Sequence, residues 1–407
     1  MSSQTFLVGT GVNRIYACRL TSDGQFELLN ETKSGKGSTW LLPRDDLLYV
    51  VNEHDDKIET FTIDDRNQGK LTLKNTISSI GDTPCALEFD PSGKWLLVSN
   101  YGDKGVANIV SLPLNDAKYP DEKGAQITAI EGDGPHPTRQ KHSYCHHAIF
   151  HDNYLYVVDL GSDTLSTYRF DATTGKLDLV GDRVKTEAGA GPRHILFHPT
   201  KPLAFVCNEL NSTANVFSVD SSSGQLHHLQ TIGTRQDKDQ NSIQENYTAE
   251  LQFTPDGKYL LVSNRGDENL VIFNMNVDAE KEVLNVKEHL DCHDSIQENY
   301  TAELQFTPDG KYLLVSNRGD ENLVIFNMNV DAEKEVLNVK EHLDCHGSFT
   351  RYFMFDPTKK FLLVANQKSN NLVCFSYNYD NGTYTFVSQL DNIESPQHIV
   401  FLNDPSL

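Results

Sequence analysis

One short frame recurs along this chain, and it restricts the possible folds more than any other feature. An apolar strand leads into a turn of the Asp-Pro-Ser-Gly type, and a second apolar strand then ends in Asn or Asp. The frame reads CALEFDPSGKWLLVSN at 85–100, HHAIFHDNYLYVVD at 146–159 and RHILFHPTKPLAFVCN at 193–208. It returns as AELQFTPDGKYLLVSN at 249–264 and again at 302–317, and as RYFMFDPTKKFLLVAN at 351–366. An abbreviated version, LLPRDDLLYVVN, ends at Asn52. The closing Asn or Asp thus falls at 52, 100, 159, 208, 264, 317 and 366, with intervals of 48 to 59 residues. That period suits a four-stranded propeller blade.

After each closing residue comes a third strand, such as TLSTYRF at 164–170, then a turn and a fourth strand. Blades arranged radially leave only short, protected edges, whereas a solenoid of the same repeats would need capped ends. The two termini read as halves of one blade. Residues 6–29 supply three strands without the first, and PQHIVF at 396–401 matches PRHILF at 192–197 and supplies it. The expected fold class is all-β: a closed β-propeller of four-stranded blades, one domain over 1–407, latched by strands from both termini. The expected number of blades is eight.

One of the eight is a copy. Residues 242–293 and 295–346 are identical at all 52 positions, offset by 53. Ordinary blades share only their frame, so this copy has had no time to diverge: it is a recent tandem duplication, an engineered insertion or a sequence-assembly artefact, and without it the ring would have seven blades.

The net charge of −22, from 57 acidic residues against 35 Lys and Arg, argues against nucleic acid or an anionic membrane as partner. A small anionic substrate fits better, because a few arginines inside a cleft reverse the field locally. The seven cysteines form no CxxC pair, and residues 1–6 have neither a basic nor an apolar leader region, so reduced thiols and a cytoplasmic location are expected.

The first two strands of a blade form a hairpin, so the start of one and the end of the other share a rim. The residue four before the apolar anchor is His146, Arg193 or Arg351 in three of the blades. The residue after the closing Asn or Asp is Glu53, Tyr101, Glu209, Arg265, Arg318 or Gln367 in six of them. His, Glu and several Arg at one rim is the mixture that binds an anion and moves a proton. Zinc is not expected: strand alternation scatters His142, His146 and His147 over two faces, and no carboxylate lies near them in sequence.

The segments YCHHAIF with YVVDLGSD, GPRHILFHP with FVCNEL, and FTPDGKYLLVSNRGD with FLLVANQ resemble the seven-bladed lactonase family. That family includes bacterial-type 6-phosphogluconolactonases and fungal carboxymuconate cyclases. The resemblance covers nearly the whole chain apart from the additional copy. It implies a catalytic set of one His, two Arg and one Glu, matched here by His146, Arg193, Arg265 and Glu209. Arg318 (from the copy), Arg351, His194 and Gln367 join them as substrate-binding candidates. The implied activity is hydrolysis of a sugar lactone, 6-phosphogluconolactone in particular, with no cofactor. In that reading Arg193 and Arg265 hold the phosphate or the oxyanion, and His146, near its ordinary pKa of roughly 6.5, activates water. The alternatives are cyclisation of a muconate and a non-catalytic propeller that binds protein on its rim. Where relatives carry His-x-His this chain reads Tyr144-Cys145-His146-His147, which predicts that His147 turns to the opposite face. Glu250 and Glu303 are expected to serve as partners of an arginine.

Overall fold

The computed structural model describes residues 3–236, 246–279, 282–292, 301–329 and 335–403, with the side chains of Thr301 and Ala302 excepted. Parts of both copies therefore lie outside the described residues: 242–245, 280–281 and 293 of the first, and 295–300 and 330–334 of the second.

Eight antiparallel sheets are present. In chain order they span residues 40–78, 84–129, 145–185, 192–233, 247–291, 301–344 and 350–391, and these are called blades 1 to 7. Blade 8 joins both ends of the chain: Pro396–Phe401 pairs antiparallel with Gln4–Thr10, which pairs with Arg14–Leu20 and then Phe26–Lys33. Blade 3 adds to its four strands a two-residue strand, Val184–Lys185. Each blade packs against the next, and blade 7 against blade 8, so the eight sheets close a ring.

The hydrophobic pattern explains this layering. The second strand of each blade is a continuous apolar run, as in Leu47–Asn52, Trp95–Asn100 and Leu203–Asn208, where all six residues are buried. Such a strand can exist only between two covering layers. The outermost strands, such as Lys70–Ser78, alternate between exposed and half-buried residues and face water on one side.

The closing Asn of the frame has a structural task. Asn100 Nδ2 donates to Ser79 O at 3.0 Å, Asn264 to Thr234 O at 3.0 Å, Asn317 to Cys292 O at 2.7 Å and Asn366 to Cys345 O at 2.9 Å. In each case the acceptor belongs to the segment that leaves the preceding blade, so a buried amide clips one blade to the next. Asp159 does the same with reversed polarity, accepting from Tyr144 N at 2.8 Å and Ser143 Oγ at 2.6 Å.

The copied blade sits within the ring because its two faces fit each other. Leu251, Leu260, Val262, Val271 and Phe273 of blade 5 pack on blade 4. Their duplicates Leu304, Leu313, Val315, Val324 and Phe326 pack instead on Leu261, Leu270, Ile272 and Cys292 of blade 5. The duplicates of that second face, Leu314, Leu323, Ile325 and Cys345, then meet Phe353, Leu362, Val364 and Phe375 of blade 7. Both faces of the inserted sheet are thus covered among the described residues. The seven cysteine sulfurs are free, and six of the seven residues are buried.

Candidate functional site

The inner strand of a blade is irregular at its start. Pairing shifts between Cys145 and His147, between Pro192 and His194, between Thr248 and Leu251, and between Thr350 and Tyr352. His146, Arg193 and Arg351 are thus the unpaired residues of β-bulges, and a bulge re-aims the side chain it carries. This is why the position four before the anchor collects chemistry. The bulge also corrects the expectation for His147: its ring does not leave the site but lies 4.9 Å from that of His194, while His146 lies 5.2 Å from the same ring. Among the described residues no metal-binding group of three or more His, Cys, Asp or Glu results.

Glu209, directly after the end of Leu203–Asn208, is the buried centre of the cluster. Arg139 Nη2 donates to its Oε1 at 2.6 Å. Arg193 Nε stands 3.2 Å from Oε2, but the N–H does not aim at the oxygen, so this contact holds by charge alone. His146 Nε2 is 4.0 Å from the same oxygen. Arg139 comes from the long segment between blades 2 and 3 and was not among the sequence candidates. The only sequence signal for it is the basic stretch His136-Pro137-Thr138-Arg139-Gln140-Lys141-His142. Burial works against its charge, but Glu209 and then Tyr101 hold its pKa above the ordinary value.

A second chain of contacts runs behind the first. Arg193 Nη1 is 3.3 Å from His194 Nε2 and also donates to Ala249 O. A guanidinium can only donate, so Nε2 of His194 accepts and its Nδ1–H donates to Glu250 Oε2, 2.9 Å away. Glu250 is therefore the partner of a histidine, not of an arginine as the sequence suggested. Burial alone would raise its pKa, yet His194, Arg193 and the Leu251 N–H bring it down to about 2. Ile195 N–H donates to His147 Nδ1 at 3.2 Å, which leaves the His147 proton on Nε2.

His146 does not titrate near 6.5. Its side chain keeps 19% of its surface open, but burial, reinforced by Arg193, His194 and Arg265, pushes its pKa well below the usual value. It is a neutral imidazole at pH 7, and its buried Nδ1 has no hydrogen-bond partner. Tyr101 stacks edge-on at 5.6 Å and lies 5.1 Å from Tyr144.

Arg265 follows Asn264 and makes no ion pair among the described residues; its Nε is buried without a partner. Burial and the charge of Arg193 lower its pKa to about 10, which still leaves it charged at neutral pH. Arg318 and Arg351 belong to the same field, since each is lowered by burial and then by other arginines of the group. Gln367 stands further round the ring and donates to Ser395 Oγ at 3.4 Å. No contact joins it to His146, Arg193, Glu209 or Arg265 among the described residues.

Three comparisons bear on the kinship of the chain. The model of the family described as "Lactonase, 7-bladed beta-propeller" matches residues 5–296 and again 278–401. The two spans overlap at the junction of the copies, as a seven-blade pattern must when one blade is repeated. A 6-phosphogluconolactonase of Formosa agariphila is 31% identical over 327 residues, covering 77% of this chain and 88% of the relative. A 6-phosphogluconolactonase of Bacillus subtilis is 28% identical over 291 residues, covering 69% and 76%. Among solved structures, the periplasmic gluconolactonase of Pseudomonas aeruginosa superposes with a TM-score of 0.66 at 22% identity, covering 99% of this chain and all of that one. At that identity the structural likeness speaks for the fold. No helix among the described residues is long and apolar enough to cross a membrane. With its family model matched from residue 5 to residue 401, this chain belongs to the seven-bladed β-propeller lactonases and builds eight blades where the family's name counts seven.

Proposed function

We propose that the chain hydrolyses a phosphorylated sugar lactone, 6-phosphogluconolactone, at the mouth of the propeller channel where His146, Arg193, Glu209 and Arg265 gather. The observation that carries this reading is a neutral imidazole in the field of an arginine that makes no ion pair among the described residues. His146 takes a proton from water as the water attacks the lactone carbonyl. The negative charge that then develops on the carbonyl oxygen is met by the charges of Arg265, whose Nε–H has no partner among the described residues, and of Arg193. Glu209 pairs with Arg139 and Arg193, orients the Arg193 guanidinium, and stabilises the imidazolium that His146 becomes during the reaction. As the tetrahedral intermediate collapses, the ring C–O bond breaks and His146 returns the proton to the leaving ring oxygen, so that water and this one proton shuttle open the lactone to the hydroxy acid. The relatives named above carry the name of the phosphorylated substrate, and a positive cluster inside an acidic protein suits its phosphate.

The test is hydrolysis of 6-phosphogluconolactone by purified protein, followed by proton release, beside the His146→Ala variant. The expected result is turnover that falls by about 10² or more in the variant. No turnover in the unaltered protein, or equal turnover in both, overturns the assignment.

A further inference from the structure

The copied blade changes the charge of the channel as well as its size. Duplication of the Asn-Arg-Gly-Asp segment adds Arg318 one blade beyond Arg265, and Arg351 follows on blade 7. The carboxylates of this arc are already committed or lie beyond contact. Glu209 is held by Arg139 and Arg193, and Glu250 by His194. Glu303 and Glu53 act on Arg351 only through their fields, and no ion pair reaches Arg318 or Arg351 among the described residues.

The Arg318 guanidinium is held in place all the same. Its Cζ sits 5.3 Å over the ring of Phe349, and the same ring carries the Lys368 ammonium at 4.3 Å. Phe349 is fixed with φ at 63°, a left-handed backbone that a bulky side chain adopts only when its surroundings impose it. The Nε of Arg318 is buried and has no hydrogen-bond partner among the described residues. A fork of donors without an acceptor among the described residues, packed on a ring that also carries a lysine and lying in the field of a second arginine, is an arrangement that an oxyanion completes. It is built inside a protein whose net charge is −22.

We propose that Arg318 and Arg351 form a second oxyanion subsite, created by the copied blade, beside the one at Arg193 and Arg265. It takes a phosphate or carboxylate group of a small organic anion. The channel then holds two anionic groups at once, on one doubly charged ligand or on two separate ones. The lactone reading enters only in naming what occupies the first subsite; the second rests on Arg318, Phe349 and Arg351 alone.

Equilibrium dialysis of the full chain against labelled inorganic phosphate, carried to saturation, tests it without any turnover. Two phosphates per chain are expected, falling to one in Arg318→Ala and in Arg351→Ala. Arg318→Lys keeps the charge but loses the fork, so it should retain two with a second site at least tenfold weaker. Circular dichroism and an unchanged first site show that each variant is folded. One phosphate or none in the unaltered protein overturns the proposal, and so does a count of two that survives Arg318→Ala. A chain that binds two phosphates yet opens no lactone would leave this inference standing and remove the functional one. A chain that opens the lactone and binds a single phosphate would do the reverse.

Discussion

Glu250 and Glu303 are the same residue of the same repeated sequence, yet their carboxyls titrate in opposite directions. The blade before Glu250 presents His194, whereas the blade before Glu303 presents Glu250 itself. Glu303 is pushed up to about 7 by burial and then by Glu250, with Arg318, Arg351 and Arg193 opposing. Its folded form binds a proton more tightly than the unfolded chain does. The resulting stability is therefore complete below about pH 4.5 and is lost as pH rises through 7. Glu303→Gln should raise the urea midpoint at pH 8 and leave it unchanged at pH 4, with an upper bound of about 3 kcal/mol. Glu250→Gln should instead lower the midpoint at pH 8, because a depressed carboxyl contributes its stability above its unfolded pKa. Matching responses of the two variants would contradict the pairing with His194. For the chemistry, His146 remains neutral well below pH 6.5, so kcat/KM should stay flat between pH 6 and 8 instead of falling on the acid side. Arg193 touches both Glu209 and His194, while Arg351 lies three blades further round the ring. Arg193→Ala should accordingly cost about 10²–10³ in kcat/KM and Arg351→Ala less than tenfold. Equal losses would place the reacting group on a different arc.

At the scale of the elements, the closing Asn of four second strands, Asn100, Asn264, Asn317 and Asn366, ties two blades together. Removing a buried donor leaves its carbonyl partner unsatisfied, at about 1–3 kcal/mol. Asn366→Ala should show that loss in urea unfolding. Asn366→Asp should do no better, because a carboxylate cannot donate to Cys345 O. A fully stable Asp variant would mean that shape, and not the donated hydrogen bond, holds the clip. The bulges act at the same scale. By skipping one residue in the pairing, a bulged inner strand turns a position of the frame towards its neighbours, which is how His146 and His147 both come to touch His194.

For the whole molecule, the additional blade must be accommodated by an angle of about 45° between blades in place of about 51°. His146, Arg193, Glu209 and Arg265 lie on three successive blades and keep their order, but groups further apart on the ring separate. A shift of ~1 Å can cost a hundredfold in rate. Lactonase activity should therefore rise when one period is deleted. The deletion should remove residues 294–346, which keeps Gly347: a Cβ there would come within 2.3 Å of Asn366 Nδ2 and 2.5 Å of Asn371 Oδ1. Activity that is unchanged or lost in a folded deletion variant would show that the wider ring is the working form. In the complete protein, limited proteolysis should not excise a fragment from within 242–346 and leave a compact remainder, because both faces of the copy are covered.

The blade frame, the count of eight and the terminal latch were all legible in the sequence, because a blade is a local unit: its hydrophobic period and turn residues lie within some fifty positions of one another. The meeting of His146, Arg193 and Glu209 was legible for the same reason, each being set by its place in a hairpin. What neighbouring blades do to those residues was not legible. Arg139 reaches Glu209 across 70 positions, Glu250 finds His194 across 56, and the bulge that keeps His147 in the cluster leaves no mark in the order of the residues. Charge states depend on burial and on every field in reach, so a neutral His146 and an Arg318 unpaired among the described residues exist only once the ring has closed.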